Sequence, residues 1–177
     1  MASVSQLGRQ IEEVVATLNA MDARFALIGG LALASHKVIR ATQDIDLLAD
    51  ADIADPIDSA FTKLGYSCAH RRADAANYLR GDERVDFLFA SRPIARRLLT
   101  EAPEYTTSFG VLRVISTEGL IGLNSLAPLA GGGGVVATVH SEREPYEALD
   151  DLMSVIEALC PRWPPRGTFS DTGKFLL

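Results

Sequence analysis

Two short segments, Gly29-Gly30 and, fourteen residues further on, Asp44-Ile45-Asp46, constrain this chain more than any other feature. Residues i and i+2 of a strand share a face, so Asp44 and Asp46 project together while Ile45 points the other way, into a core. Upstream, Phe25-Ala26-Leu27-Ile28 reads as a short apolar strand that ends at the glycine pair. The spacing therefore predicts a buried strand, a double-glycine turn opening a helix, and a second strand carrying two acids on one side.

Two carboxylates held side by side repel each other unless a cation sits between them, and hard divalent cations prefer oxygen ligands. Without Cβ atoms, Gly29 and Gly30 let backbone N–H groups approach phosphate oxygens, and the start of the following helix favours negative charge. The plainer reading of the pair, a tight strand-to-helix turn, stands beside this one. Together the segments point to a Mg²⁺ site next to a phosphate-binding turn, and so to phosphoryl or nucleotidyl transfer. Arg40 and Thr42, just before the acids, offer a guanidinium and a hydroxyl to substrate phosphate.

A third acid extends the pattern. In Arg84-Val85-Asp86-Phe87-Leu88-Phe89 one carboxylate interrupts an apolar strand. Burying an unpaired Asp among such residues is costly, so Asp86 faces an opening, joins a metal cluster, or pairs with a neighbouring arginine such as Arg84. Alternation sets Asp86 and Leu88 on one face and Val85, Phe87 and Phe89 on the other. If this strand lies beside the first acidic one, three carboxylates converge. Three acids can hold two Mg²⁺ about 4 Å apart, one activating an attacking hydroxyl and one steadying a pyrophosphate leaving group.

Other motifs carry less. Gly131 to Gly134 is followed by Val135-Val136-Ala137 and not by Lys-Ser/Thr, so it is no Walker A loop and reads as a connector. His36 falls at a helix end, and His70 and His140 show no partner pattern. Cys68 and Cys160 are far apart, as expected of two reduced thiols.

The remaining periodicity gives an α+β, mixed-sheet domain. Residues 4–20 place Val4, Leu7, Ile11, Val14, Val15 and Leu18 at helical steps. A helix is expected over 31–38, a strand over 45–49, and a helix from Asp55 as N-cap and Pro56 to Lys63-Leu64, stopped by Gly65. Strands follow at 66–70, 76–80 and 84–90, the last two as a hairpin around Gly81. A helix over 92–101, strands at 105–109 and 111–115, a helix capped by Ser116 or Thr117, and a final amphipathic helix over 145–159 complete the pattern. Residues 1–160 are taken as one domain and 161–177 as an irregular, proline- and glycine-rich tail.

With 47% hydrophobic and 23% charged residues, the composition is that of an ordinary globular domain. The longest apolar stretch, residues 25–35, falls short of the roughly 20 residues that a bilayer requires. A cytoplasmic protein with no membrane contact is expected. The net charge of −6 argues against a surface that grips nucleic acid all over, although arginines gather between Arg71 and Arg97.

The glycine pair, spacer, acid pair and later isolated acid resemble the nucleotidyltransferase superfamily related to DNA polymerase β. The wording IGGLALASHKVIRATQDIDLL is most similar to stand-alone bacterial and archaeal nucleotidyltransferase-like proteins allied to the abortive-infection toxin family. The resemblance covers residues 25–90, with weaker likeness at 116–126 and 143–159. It implies that Asp44, Asp46 and Asp86 bind Mg²⁺ (or Mn²⁺), that Asp86 helps activate the acceptor hydroxyl, and that Gly29-Gly30 hold the triphosphate of an NTP. The implied acceptor is RNA (tRNA among them) or protein. Where the toxin-like branch usually has a lysine, this chain has Asn124. The fold implied is a small mixed sheet with helices on one side and the acids at an edge of the sheet. An open cleft without a second domain implies help from a partner protein or a homodimer. Two alternatives stand beside the enzyme: a non-catalytic binding module, such as a toxin–antitoxin component, and another metal-dependent phosphotransferase.

Overall fold

The computed structural model describes residues 6–35, 44–116 and 118–120. In chain order the elements are α1 (Gln6–Ala20), β1 (Phe25–Leu27), α2 (Gly29–Ser35), β2 (Asp44–Asp50), α3 (Ala54–Lys63), β3 (Ser67–Arg71), β4 (Ala75–Arg80), β5 (Glu83–Ala90), α4 (Pro93–Glu101), β6 (Glu104–Thr107) and β7 (Gly110–Val114). The seven strands form one mixed sheet in the order β3-β4-β5-β2-β1-β7-β6. β2 runs parallel to β5 and antiparallel to β1, which is itself parallel to β7. This is the mixed α+β architecture that the alternation of periods predicts.

One sheet face carries the main core. Ile45 and Leu47 of β2 sit in register with Val85 and Phe87 of β5, so all four project to the same side. Ile11, Val14 and Val15 of α1 meet Phe25, Leu27, Ile45, Leu47 and Leu112 there. α3 covers the other half of that face. Its Phe61, fully buried, lies 5.0 to 5.3 Å from the rings of Tyr66, Tyr78 and Phe87. Such tilted and edge-on aromatic contacts add to the plain burial of apolar area. Helices α1 and α3 thus seal one side of the sheet and leave the acids on the other.

Three local expectations are corrected. α2 begins at the glycine pair itself and not after it. α3 starts at Ala54, preceded by a single 3-10 turn over Ala51–Ile53, and Ile53 at its N-cap makes no side-chain capping bond. Asp55 lies inside the first turn of α3 and not at its cap, and its carboxylate pairs with Arg71 of β3, which also lies 3.6 Å from Asp58. The acids do not lie at a sheet edge: β5 and β2 are the third and fourth of seven strands. Gly65 follows the end of α3 with φ of +87° and Gly81 turns the β4–β5 hairpin with φ of +60°, as expected of glycines at these positions. Ser116 accepts the Gly119 N–H at 3.2 Å, a capping bond to the helical residues 118–120.

Among the described residues, no helix is long and apolar enough to cross a membrane. Cys68 is exposed and unpaired by disulfide. Arg40, Thr42, His36, Asn124, Cys160, the glycine run and the tail lie outside the described residues.

Candidate active site

The pairing of β2 with β5 builds the site. Their parallel register places Asp46 beside Asp86 and Asp44 beside Arg84. Adjacent strands lie about 4.8 Å apart, so three carboxylates and one guanidinium share a patch two residues long and two strands wide. On the opposite face the same register stacks Ile45 on Val85 and Leu47 on Phe87, all buried. The apolar alternation therefore fixes where the acids fall, because a slip of one residue would bury them.

Asp46 is the most strained electrostatically. Burial, followed by the neighbouring charges of Asp86 and Asp44, pushes its carboxyl up to about 7, against a hydrogen bond donated by the Gly30 N–H and the charge of Arg84. Asp44 is raised as well, chiefly by burial, with Arg84 opposing and Asp86 adding to the shift. These are the signs of carboxylates crowded together and partly withdrawn from water.

The glycine pair wraps around Asp46. The Ile28 N–H donates to the Asp46 carbonyl at 2.9 Å. Gly29 then takes φ of +65°, and a Cβ placed there would lie only 2.0 Å from Asp46 Oδ2. Glycine at 29 is thus required twice, by its left-handed backbone and by the carboxylate pressed against it. Gly30 donates its N–H to that carboxylate. The first turn of α2 and the acid at the centre of β2 form one unit.

Asp86 is held differently. Arg84 Nε lies 2.9 Å from its Oδ1 and 3.0 Å from its Oδ2, and Arg84 Nη2 lies 2.9 Å from Oδ2. Asn77 of β4, its register partner, donates Nδ2–H to Oδ1 at 2.8 Å. The ion pair with Arg84, one of the readings open for an acid in this strand, is present. The hairpin around Gly81 carries the signal that would have revealed Asn77: counting back from its turn, where Arg80 pairs with Glu83, brings residue 77 opposite 86. Gln10 gave no such signal. It is the buried polar residue of α1 and donates Nε2–H to the Arg84 carbonyl at 3.3 Å.

The donor set suits a hard divalent cation, since it is all carboxylate oxygen and burial raises both Asp44 and Asp46. As arranged, however, no three acidic, His or Cys side chains among the described residues close on a common point. Asp86 is turned to Arg84 and Asn77 instead.

A family model described as aminoglycoside-2''-adenylyltransferase matches residues 10–88, a stretch that contains the glycine pair and all three acids. No curated protein matches the chain in sequence. Among solved structures, ANT(2'')-Ia in complex with adenylyl-2''-tobramycin aligns with a TM-score of 0.52 at 19% identity, over 88% of this chain and 90% of that one. The lincosamide antibiotic adenylyltransferase LnuA, lincomycin-bound, aligns at 0.51 and 13% identity, over 83% of this chain and 94% of that one. TM1012 from Thermotoga maritima, a candidate nucleotidyltransferase, aligns at 0.51 and 16% identity, over 69% and 83%.

Proposed function

The chain carries the fold of the nucleotidyltransferase superfamily, and on that footing we propose that it transfers a nucleotide from an NTP to a hydroxyl of an acceptor. The observation that carries the reading is the register of β2 and β5, which sets Asp86 beside the crowded pair Asp44 and Asp46. The adenylyltransferase description of the matching family and of LnuA favours ATP as donor and a small polar molecule as acceptor over the RNA or protein expected from the resemblance.

In this reading Asp44 and Asp46, joined by Asp86, hold Mg²⁺ or Mn²⁺, which when bound neutralises charge on the triphosphate and on departing pyrophosphate. The acceptor oxygen attacks the α-phosphorus, a new P–O bond forms, and the bond to pyrophosphate breaks. The hydroxyl proton passes to a carboxylate oxygen of Asp86, which Asn77 anchors through Oδ1. Gly29 and Gly30 bring the first turn of α2 against Asp46, so a triphosphate lying along that turn meets the acids directly. Arg40 and Thr42 are assigned to the phosphates. A cleft formed by one domain would be completed by a partner or a second copy.

The test is transfer of label from each α-³²P NTP, with Mg²⁺ or Mn²⁺, to three separate acceptor sets: aminoglycosides and lincosamides, total RNA, and cell protein. Labelled antibiotic with pyrophosphate released, lost in Asp46→Asn, is the expected result. Label on RNA or protein would return the acceptor to the toxin-allied branch. Nucleotide binding without turnover would leave a binding module, and release of inorganic phosphate would mark a different phosphotransferase.

A further inference from the structure

We infer that Arg84 is the resident counter-cation of the acid cluster: it holds Asp86 out of the metal position, and a divalent ion binds by displacing its guanidinium. This rests on the metal-dependent reading above and concerns a residue which that reading leaves without a role.

Four observations support it. Arg84 stands beside Asp44 in register and precedes Asp86 by two on the same strand, so its side chain rises from the acidic face itself. Its contacts to both oxygens of Asp86, at 2.9 to 3.0 Å, form a planar fork that matches a carboxylate. In this arrangement no three ligating side chains among the described residues meet at a point. Finally, the two partners differ in freedom. The Arg84 side chain is 44% exposed and that of Asp86 only 18%.

The difference in exposure decides which partner moves. Asp86 is anchored from the other side by Asn77, and the backbone of Arg84 is tied to α1 through Gln10. A rotation of the arginine side chain into water therefore frees Asp86 without any shift of β5. Arg84 is a positioning residue in this scheme: it offsets part of the repulsion among three close carboxylates while no metal is bound, and it competes with the metal for one of them. An exposed ion pair of this kind is worth about 1 kcal/mol or less, enough to weaken a competing ion severalfold without excluding it.

The experiment is Mn²⁺ binding to the nucleotide-free chain, followed by calorimetry and by loss of the free-ion EPR signal. Wild type, Arg84→Gln, Arg84→Lys and Asp46→Asn are compared, each shown by circular dichroism to melt cooperatively. Arg84→Gln should bind Mn²⁺ about two- to fivefold more tightly than wild type. Arg84→Lys, which keeps the charge but loses the fork, should fall between the two. Equal or weaker Mn²⁺ binding by Arg84→Gln, with Asp46→Asn binding none, overturns the inference while leaving the metal site in place. Wild-type binding by Asp46→Asn, or no binding by wild type and Arg84→Gln alike, overturns the metal reading and the inference with it.

Discussion

Replacing Gly29 by alanine should cost the fold several kcal/mol, and the cost has two separable parts. The backbone at Gly29 has φ of +65°, a left-handed conformation that costs an L-residue roughly 1–2 kcal/mol. The new methyl would lie 2.0 Å from Asp46 Oδ2, 2.6 Å from its Cγ and 2.8 Å from its Cβ. The atoms it meets belong to a side chain that Gly30 and the crowded acids hold in place, so relief requires moving Asp46 or lifting α2 from β2. Overpacking of this kind adds about 1–3 kcal/mol. The sum, about 2–5 kcal/mol, is a large part of the roughly 5–15 kcal/mol that keeps a domain folded. For a chain of this size it corresponds to about 4–20 °C in Tm. Urea unfolding of wild type, Gly29→Ala, Asp46→Ala and the double variant resolves the parts. In the Asp46→Ala background the contacts with Oδ2 and Cγ are gone and only the 2.8 Å contact with Cβ remains, so the Gly29→Ala penalty should fall toward the backbone cost. A coupling of about 1–3 kcal/mol between the two sites is expected. A Gly29→Ala cost below about 1 kcal/mol, or the same cost in both backgrounds, would refute the argument that Asp46 dictates glycine at 29.

Two further expectations follow from the same geometry. Asp46 has its carboxyl raised to about 7 in the fold from an ordinary value of 3.8, so the folded chain binds this proton more tightly than the unfolded one. Its contribution is therefore fully present below about pH 4 and lost as pH rises through about 7; in EDTA, Asp46→Asn should gain stability over wild type at pH 8 and lose that advantage by pH 4, and a difference independent of pH would contradict the crowding. Gln10, only 2% exposed, bonds the Arg84 carbonyl and the Tyr66 hydroxyl, so Gln10→Leu should lower unfolding free energy by about 1–2 kcal/mol in urea titrations, whereas an unchanged midpoint would show that these bonds contribute nothing net.

The local chemistry of the site is written in short-range pattern. Alternation in Asp44-Ile45-Asp46 and in Val85-Asp86-Phe87 sets the acids on one face and the apolar residues on the other, because successive strand residues point to opposite sides whatever the neighbours are. The glycine pair announces a turn, and Gly81 announces the hairpin, because both need backbone freedom that only glycine supplies cheaply. What the sequence leaves open is which strands meet and at what register, since residues 44 to 50 and 84 to 90 are too far apart along the chain for any local rule to pair them. Packing decides that: Ile45 against Val85 and Leu47 against Phe87, beneath α1 and α3, bring Asp46 beside Asp86 in the middle of the sheet and not at its edge. The same assembly turns Arg84 onto Asp86, pairs Asp55 with Arg71, and presses Asp46 onto Gly29. Each of these depends on two side chains meeting in space, and charge and close contact act over a few ångströms of distance, not over positions in the chain.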